Sequence, residues 1–376
     1  MIKIREVEDK DIIPLAEVLP TFEPPFAGTT KETWLRRFTI WWTSNPAYTP
    51  EIPRGWILEN DTTIVGFIGN MPVKFLIRGE ERIAVAAVDW IVEPSFRIFS
   101  FDLFKEYMNQ KSVSLFLFNT EKKQIIRILK RYKFKEYVLP LTQTEYHYII
   151  HRKQVNLIFK EFIFGRKFPH LTDFSEILKR LRRVISAYIS QKPIIRCDGL
   201  PGGEYTTSLC TSCDISFSRI WESYLASCDV TLSHDSKTLN WLYFSSIEPR
   251  KRVVIQCRRS RDKTLAGYMV FDIERDKKSE PGTMKLKDMC VEDNNPRVMA
   301  SLLSFAIDIG EQNDAALLVV WANSQVTDTY FRSMFKMSCD AQYNRYIRLS
   351  DTCDVGSESL TVCPSLIAPP HGIDHL

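Results

Sequence analysis

Apolar and polar positions alternate with period two over residues 2–7, the pattern of a short half-buried strand. Ile12, Leu15 and Val18 then recur at helical spacing, with Asp9-Lys10-Asp11 placed to cap the start and Pro20 to mark the end. The turn-forming stretch Glu23-Pro24-Pro25-Phe26-Ala27-Gly28 leads into a second helix over 32–42. Three strands follow at 55–59, 63–77 and 82–92, separated by the turn signals Asn60-Asp61 and Arg78-Gly79. Pro94 closes the third, and 100–109 reads as a helix with Phe101, Phe104 and Met108 on one face. The continuous apolar run Leu115-Phe116-Leu117-Phe118 within 114–118 predicts a strand covered on both sides. A basic helix over 120–132 and two closing strands complete the block.

Near Tyr205 the order restarts. Helices are expected over 214–227 and 236–244, the second capped by Ser236 after Ser233-His234-Asp235, then strands at 252–258, 264–273 and 283–291. A helix over 296–311, a buried strand over 316–321 and a helix over 324–334 follow. Landmarks repeat with the elements. Val65-Gly66-Phe67, Asp89-Trp90-Ile91-Val92-Glu93 and Phe118-Asn119 in the first half answer to Ala266-Gly267-Tyr268, Asp288-Met289-Cys290-Val291-Glu292 and Ala322-Asn323 in the second. Gly-to-Asp separations are 23 and 21 and Asp-to-Asn separations 30 and 35, so one unit is written twice. The expected fold class is α/β with mixed central sheets flanked by helices, in tandem domains over 1–150 and 205–350, a connector over 151–204 and a tail over 351–376. Such a duplication makes a cleft between halves, and one copy suffices to hold the chemistry.

At 44% apolar and 26% charged residues, a disordered chain is excluded. Runs such as Ile83-Ala84-Val85-Ala86-Ala87-Val88 fall short of a membrane span, and Met1 to Val7 lacks signal-peptide character, so a cytoplasmic address is expected. The charge is uneven. The chain carries +4, but 151–196 alone holds 11 Lys/Arg against 3 Asp/Glu. Within 174–190 an apolar face (Phe174, Ile177, Leu178, Leu181, Val184, Ile185) opposes Lys179, Arg180, Arg182 and Arg183. That is first the pattern of a connector helix packed on a domain with its lysines and arginines in solvent, and second that of peripheral contact with an anionic membrane. No RNA or DNA motif accompanies it, so nucleic acid is an unlikely partner. All nine cysteines lie at or after Cys197, an odd count that argues against a disulfide framework. Cys210-Thr211-Ser212-Cys213 lacks a second pair at zinc-ligand spacing, so no metal is expected and these thiols read as small core residues.

Strand, two helices, three antiparallel strands, helix, strand, helix, strands is an order that resembles the GCN5-related N-acetyltransferases. Val92-Glu93-Pro94-Ser95-Phe96-Arg97 resembles that family's Val-x-Pro-x-x-Arg segment, and Asn119 followed by Leu129-Lys130-Arg131-Tyr132-Lys133-Phe134 its second conserved block. The likeness covers about residues 1–148. It implies a coenzyme A diphosphate held by backbone N–H groups after Pro94, with Ile91, Val92, Arg97, Ile98, Phe99, Ser100, Phe101 and Asn119 as the coenzyme-binding set. Glycines of the family pattern are replaced here by Ser100 and Asp102. In the second half Leu239-Asn240-Trp241-Leu242-Tyr243 resembles a Leu-x-Trp-Arg-Tyr signature of acyltransferase-like domains from polysaccharide gene clusters, while Glu292-Asp293-Asn294-Asn295-Pro296 makes a poor diphosphate cradle.

The resemblance implies acyl transfer from acetyl-CoA or another acyl-CoA to an amine, on a small molecule or glycan such as an amino sugar or cell-envelope precursor. Transfer needs a base, an oxyanion donor and an acid for the departing thiolate. Asp89 and Asp288, strand carboxylates at matched places, and Glu93 are the candidate bases; Tyr132 and Tyr330 are the candidate acids, Leu129 standing about where the family's tyrosine falls. His234, alone before a helix, reads as a cap-region residue. Two other readings share the architecture: a non-catalytic binding scaffold, and an aminoacyltransferase fed by aminoacyl-tRNA, which the tandem order also resembles.

Overall fold

The computed structural model describes residues 1–22, 29–120, 122–137, 144–150, 203–225, 229–245, 251–275, 282–322, 324–335, 337–340 and 345–349. The basic connector, with its stretch 174–190, and the tail from 351 lie outside the described residues. In chain order the first half forms β1 (Ile2–Glu6), α1 (Ile12–Val18), α2 (Lys31–Phe38), β2 (Gly55–Asn60), β3 (Thr63–Ile77), β4 (Glu80–Val92), α3 (Ser100–Met108), β5 (Leu115–Asn119), α4 (Lys123–Arg131), β6 (Lys135–Tyr137) and β7 (Thr144–Ile149). The second forms β8 (Tyr205–Cys210), α5 (Ile215–Leu225), β9 (Val230–Leu232), α6 (Ser236–Phe244), β10 (Lys251–Arg259), β11 (Leu265–Glu274), β12 (Gly282–Val291), α7 (Pro296–Gln312), β13 (Ala315–Trp321), α8 (Gln325–Met334), β14 (Met337–Asp340) and β15 (Arg345–Leu349).

One sheet runs β1-β2-β3-β4-β5-β15-β6 and the other β8-β10-β11-β12-β13-β7-β14. Position by position the two orders match, and β4–β5 and β12–β13 are the parallel pairs. The closing strands are exchanged. β7 lies between β13 and β14 on the second sheet, and β15 lies between β5 and β6 on the first. Alternation of polarity tells a strand which face to bury but not which edge to join, so the exchange is invisible in the pattern. It gives β13, all of whose residues are buried, a hydrogen-bonding neighbour on its second edge. Tyr146 of β7 is fixed there by donating its hydroxyl to Asp328 of α8, whose other oxygen accepts from Arg332 at 2.7 Å.

The glycine and aspartate landmarks occupy equivalent places. Gly66 faces Val92, three residues past Asp89, and Gly267 faces Val291, three past Asp288. A side chain would be crowded at Gly66 and would collide at Gly267. A Cβ on Gly66 would stand 3.1 Å from Val92 Cγ2, and one on Gly267 2.8 Å from Val298 Cγ1 of α7 and 3.1 Å from the Cys290 carbonyl. Gly267→Ala is therefore expected to cost about 1–3 kcal/mol of stability by overpacking, read as a lower urea midpoint. The asparagine landmark does not correspond. Leu117 pairs with Ala86 and Val319 with Lys285, each three residues before its aspartate, so by sheet register Asn119 answers to Trp321 and not to Asn323.

A single apolar cluster joins the helical layers of the two copies: Trp34, Phe38, Trp41 and Trp42 from the first meet Phe217, Trp221, Trp241 and Tyr243 from the second. The helix expected over 32–42 ends at Phe38 and passes into a π-helical turn over Thr39–Thr43. Ser44 N–H reaches back to Thr39 at 2.8 Å and not to Ile40, and the Ile40 carbonyl accepts the Trp241 indole at 2.8 Å. A local irregularity of the first copy thus becomes a hydrogen bond to the second. Strand β9, not expected from the sequence, clips the copies together at the same place by pairing Val230–Leu232 with Phe75–Ile77 of β3.

Candidate functional site

The parallel ladder between β4 and β5 ends at Ala86 opposite Leu117. β4 nevertheless stays paired with β3 as far as Val92, while β5 runs on to Asn119 against β15. The two strands part, and 87–92 forms one arm of a fork. On that arm the register slips, with Ile68 of β3 standing opposite both Asp89 and Trp90. Asp89 takes a left-handed backbone conformation (φ 50°), which a non-glycine residue holds only where its surroundings impose it.

This bulge turns Asp89 and Trp90 to opposite faces. Asp89 points to α2, 3.8 Å from the Arg37 guanidinium, and Arg37 lies over the Trp34 ring with its central carbon 4.6 Å from the centroid. Burial pushes the Asp89 carboxyl up to about 6, because loss of hydration outweighs the pull of Arg37. On the α3 side Trp90 stacks on Phe104 at 4.8 Å and meets Phe118 of the other arm edge-on at 6.1 Å, bridging the fork. Its buried indole nitrogen has no hydrogen-bond partner. Tyr132, the residue capping the end of α4, packs edge-on against Phe104 at 5.0 Å.

Below the fork, Glu93 N–H donates to the Val65 carbonyl at 2.9 Å and its carbonyl accepts from Phe96 at 2.9 Å. The sequence points to an open loop after Pro94. Instead, Pro94–Phe99 winds as a 3-10 turn straight into α3, and Ser100 N–H is committed to the Arg97 carbonyl. No residue between Pro94 and Met108 has a positive φ, and without a glycine the chain has little means of leaving the right-handed helical region here. Arg97, Ile98 and Phe101 are exposed along this turn, Phe99 and Ser100 half-buried, and Asp102 faces solvent in the first turn of α3 rather than blocking the fork. Ile91 packs towards the shared core and Val92 towards α3, while Asn119 closes β5.

The second fork is built differently. Its ladder ends at Lys285 opposite Val319, and the Trp321 indole donates at 2.9 Å to the carbonyl of Leu286, the next residue along β12. The indole thereby occupies the crotch. Asp288 is also held otherwise than Asp89. Trp221 Nε1 donates to Tyr268 Oη at 2.7 Å, Tyr268 and Tyr243 hydroxyls are 3.2 Å apart, and Tyr243 donates to Asp288, which also accepts Met289 N–H at 2.8 Å. An indole only donates, so the whole chain is oriented towards the carboxylate. Tyr330 lies half-buried on α8, 5.9 Å from the Phe331 ring, apart from this network.

The structure brings together Asp89, Ile91 and Val92 at the first fork, with Tyr132 behind its aromatic side, and sets Asp288 and Tyr330 in the other copy. Sequence reasoning missed Arg37, Trp34 and Trp90, and the Tyr243–Tyr268–Trp221 chain. A tryptophan three residues before an arginine on an amphipathic helix was a readable signal for the first pair. The capping serine needs correction, while His234 does stand in the cap region, one residue before the cap. Asp235 caps α6, accepting Lys237 and Thr238 N–H at 2.9 and 3.0 Å, whereas His234 is buried with its ring 3.6 Å from that of Trp221. Cys210, Cys213, Cys257 and Cys290 are buried free thiols. Among the described residues no cluster of three or more His, Cys, Asp or Glu is placed to hold a metal, and no helix is long and apolar enough to cross a membrane.

No family model and no curated protein matches the sequence. Solved structures do match its shape. A GCN5-related N-acetyltransferase from Anabaena variabilis superposes with a TM-score of 0.56 at 8% identity, over 94% of this chain and 74% of that one. A conserved Enterococcus faecalis protein described as a probable N-acyltransferase gives 0.55 at 10%, over 93% and 73%. Saccharomyces cerevisiae N-myristoyltransferase with bound myristoyl-CoA gives 0.50 at 11%, over 93% and 79%. The chain has the GCN5-related N-acetyltransferase fold, in tandem. Within that fold its two forks differ: the first is bordered by a carboxylate of raised pKa, the second is filled by an indole.

Proposed function

We propose that the protein is an acyl-CoA-dependent N-acyltransferase and that its first copy performs the chemistry. The difference between the two forks carries the reading: among the described residues no side-chain hydrogen bond crosses between β4 and β5, whose arms touch on one face through Trp90 and Phe118, whereas Trp321 fills the second crotch. In this reading the acyl thioester lies along 87–92 and the diphosphate near the turn at Arg97–Phe101. The acceptor is a primary amine on a small molecule or glycan, an amino sugar or related cell-envelope precursor among them. Its nitrogen attacks the thioester carbonyl, the C–N bond forms and the C–S bond breaks. Asp89 takes the proton lost by nitrogen, suited to this by a pKa near 6, and the departing thiolate takes one from Tyr132 or solvent. Backbone N–H groups near Val92 stabilise the oxyanion. Asp288, already accepting from Tyr243 and Met289, serves as a fixed charge that orients the second copy's helical layer.

A second reading has one observation in its favour: the helical winding of Pro94–Phe99 commits the Ser100 N–H that a diphosphate cradle would use, as a non-catalytic scaffold permits. Coenzyme A separates them. At a hundred times its dissociation constant it is expected to add about 2.7 kcal/mol to stability, seen as a rise in Tm, and acetyl-CoA with a primary amine is expected to release free thiol. No shift and no thiol would leave the scaffold.

A further inference from the structure

The proposed transfer leaves the acceptor open, and the face of β4 opposite Trp90 narrows it. Arg37 is mostly buried, with 14% of its side chain exposed, yet its distance of 3.8 Å to Asp89 is longer than a hydrogen bond. The Trp34 ring beneath it fixes the plane of the guanidinium. Trp34 is itself held, by donating its indole N–H to Thr29 Oγ1 at 3.1 Å and by packing against Phe38 and Trp41. A preorganised guanidinium and a carboxylate therefore stand side by side at the end of the fork, near each other without forming the two-pronged contact that Arg252 and Asp272 make elsewhere at 2.6 and 2.9 Å.

We infer that the acceptor is a primary amine carrying an anionic group close to its nitrogen, as in an α- or β-amino acid. Resting on the acyl-transfer reading above, this assigns Arg37 the carboxylate and Asp89 the ammonium. The spacing fits. A ligand whose two charged ends each lie about 2.8 Å from a protein partner spans this pair, 3.8 Å apart, side by side and without splaying when those ends are themselves a few ångströms apart. The charges fit as well, since a zwitterion replaces one ion pair by two and leaves the net charge of the site unchanged. A neutral amine would supply a partner for Asp89 and none for Arg37. Once bound, the ammonium gives its first proton through Asp89 to solvent; the neutral nitrogen then faces the thioester, and the again-ionised Asp89 takes the second proton as the C–N bond forms.

The test uses the full-length protein, acetyl-CoA and matched amines: glycine and β-alanine against ethanolamine and ethylamine, with free thiol as readout. Wild type is expected to use the anionic amines with kcat/KM at least tenfold higher than the neutral ones. Arg37→Gln is expected to erase that preference, lowering kcat/KM on glycine and β-alanine at least tenfold more than on ethylamine while the coenzyme A-induced Tm shift stays as it is, and Arg37→Lys to restore part of it. Equal use of both amine classes by wild type, or an equal loss on both in Arg37→Gln with the Tm shift intact, overturns the assignment while sparing the transfer reading. Absence of both turnover and coenzyme A binding overturns the two together.

Discussion

Asp89→Asn is expected to lower kcat/KM for acyl transfer by about 10²–10⁴-fold and, in the same protein, to raise stability above pH 6. The sign follows from linkage. Burial lifts this carboxyl from the ordinary 3.8 to about 6 in the folded state, so between those values the native protein holds more protons than the unfolded chain. Unfolding free energy therefore falls as pH rises through that window, and above pH 6 the full penalty remains. Its ceiling is about 3 kcal/mol, from roughly 1.36 kcal/mol per pKa unit. Solvent reaches 21% of the Asp89 side chain and Arg37 loses a partner in the variant, so a gain of about 1–2 kcal/mol is expected at pH 8. Asparagine also accepts the left-handed backbone of this position better than most residues. Urea unfolding at pH 8 and a pH profile of kcat/KM decide the matter. A variant less stable than wild type and equally active would make Asp89 an ordinary structural residue.

That a stabilising change should remove activity is the mark of a group held where folding alone would not put it. A left-handed aspartate in mid-strand, beside a cation it does not fully engage, has this character. Its counterpart Asp288 does not, since Tyr243 and a backbone N–H satisfy it. Equal places in the two copies thus hold aspartates in unequal surroundings. The repeat was legible because the glycine is set by a backbone demand both copies share, the close approach of β3 to β4 and of β11 to β12 with α7, while the aspartates recur near a bulge in each ladder although only Asp89 is left-handed.

Much else in the fold could be read from period alone. Helix α6 and the apolar strands β5 and β13 fall within a residue or so of expectation, because their burial is dictated by composition. What escaped was decided by partners far away in sequence. The exchange of β7 and β15 depends on edges that no local pattern encodes, and the turn after Pro94 became helical because the glycines that open it elsewhere are missing. Of the residues that border the first fork, Asp89 and Val92 had been singled out through the repeat and the motif. Arg37 was readable as the partner of Trp34 on its own helix but not as the neighbour of Asp89, because nothing there reveals that a bulged strand will stand opposite.

His234 makes the second large expectation, and here the sign is reversed. The residue is 4% exposed, its ring is stacked on Trp221 at 3.6 Å, and the Leu232 carbonyl and Asp235 support its protonated form less than burial opposes it. Burial pushes it down to about 3 from 6.5, so below pH 6.5 the unfolded chain takes up a proton that the folded protein refuses. Stability is full above pH 6.5 and falls by about 1.4 kcal/mol per unit below it, a loss of about 2 kcal/mol by pH 5. Asp89 works the opposite way over part of that range, so the informative quantity is a difference between proteins. His234→Phe keeps an aromatic ring against Trp221 and removes the titration. Relative to wild type it is expected to gain about 2 kcal/mol between pH 6.5 and pH 5 in urea midpoints, whatever its stability at pH 8. Parallel acid limbs for the two proteins would exclude His234 as the group responsible. The location gives the loss a starting point. Leu232 pairs with Phe75 and Ser233 N–H reaches the Lys74 carbonyl at 2.8 Å, so a charge forced onto the intervening ring pocket acts where the second copy is clipped to the first sheet. Acid should therefore loosen the seam between the copies before it loosens either sheet.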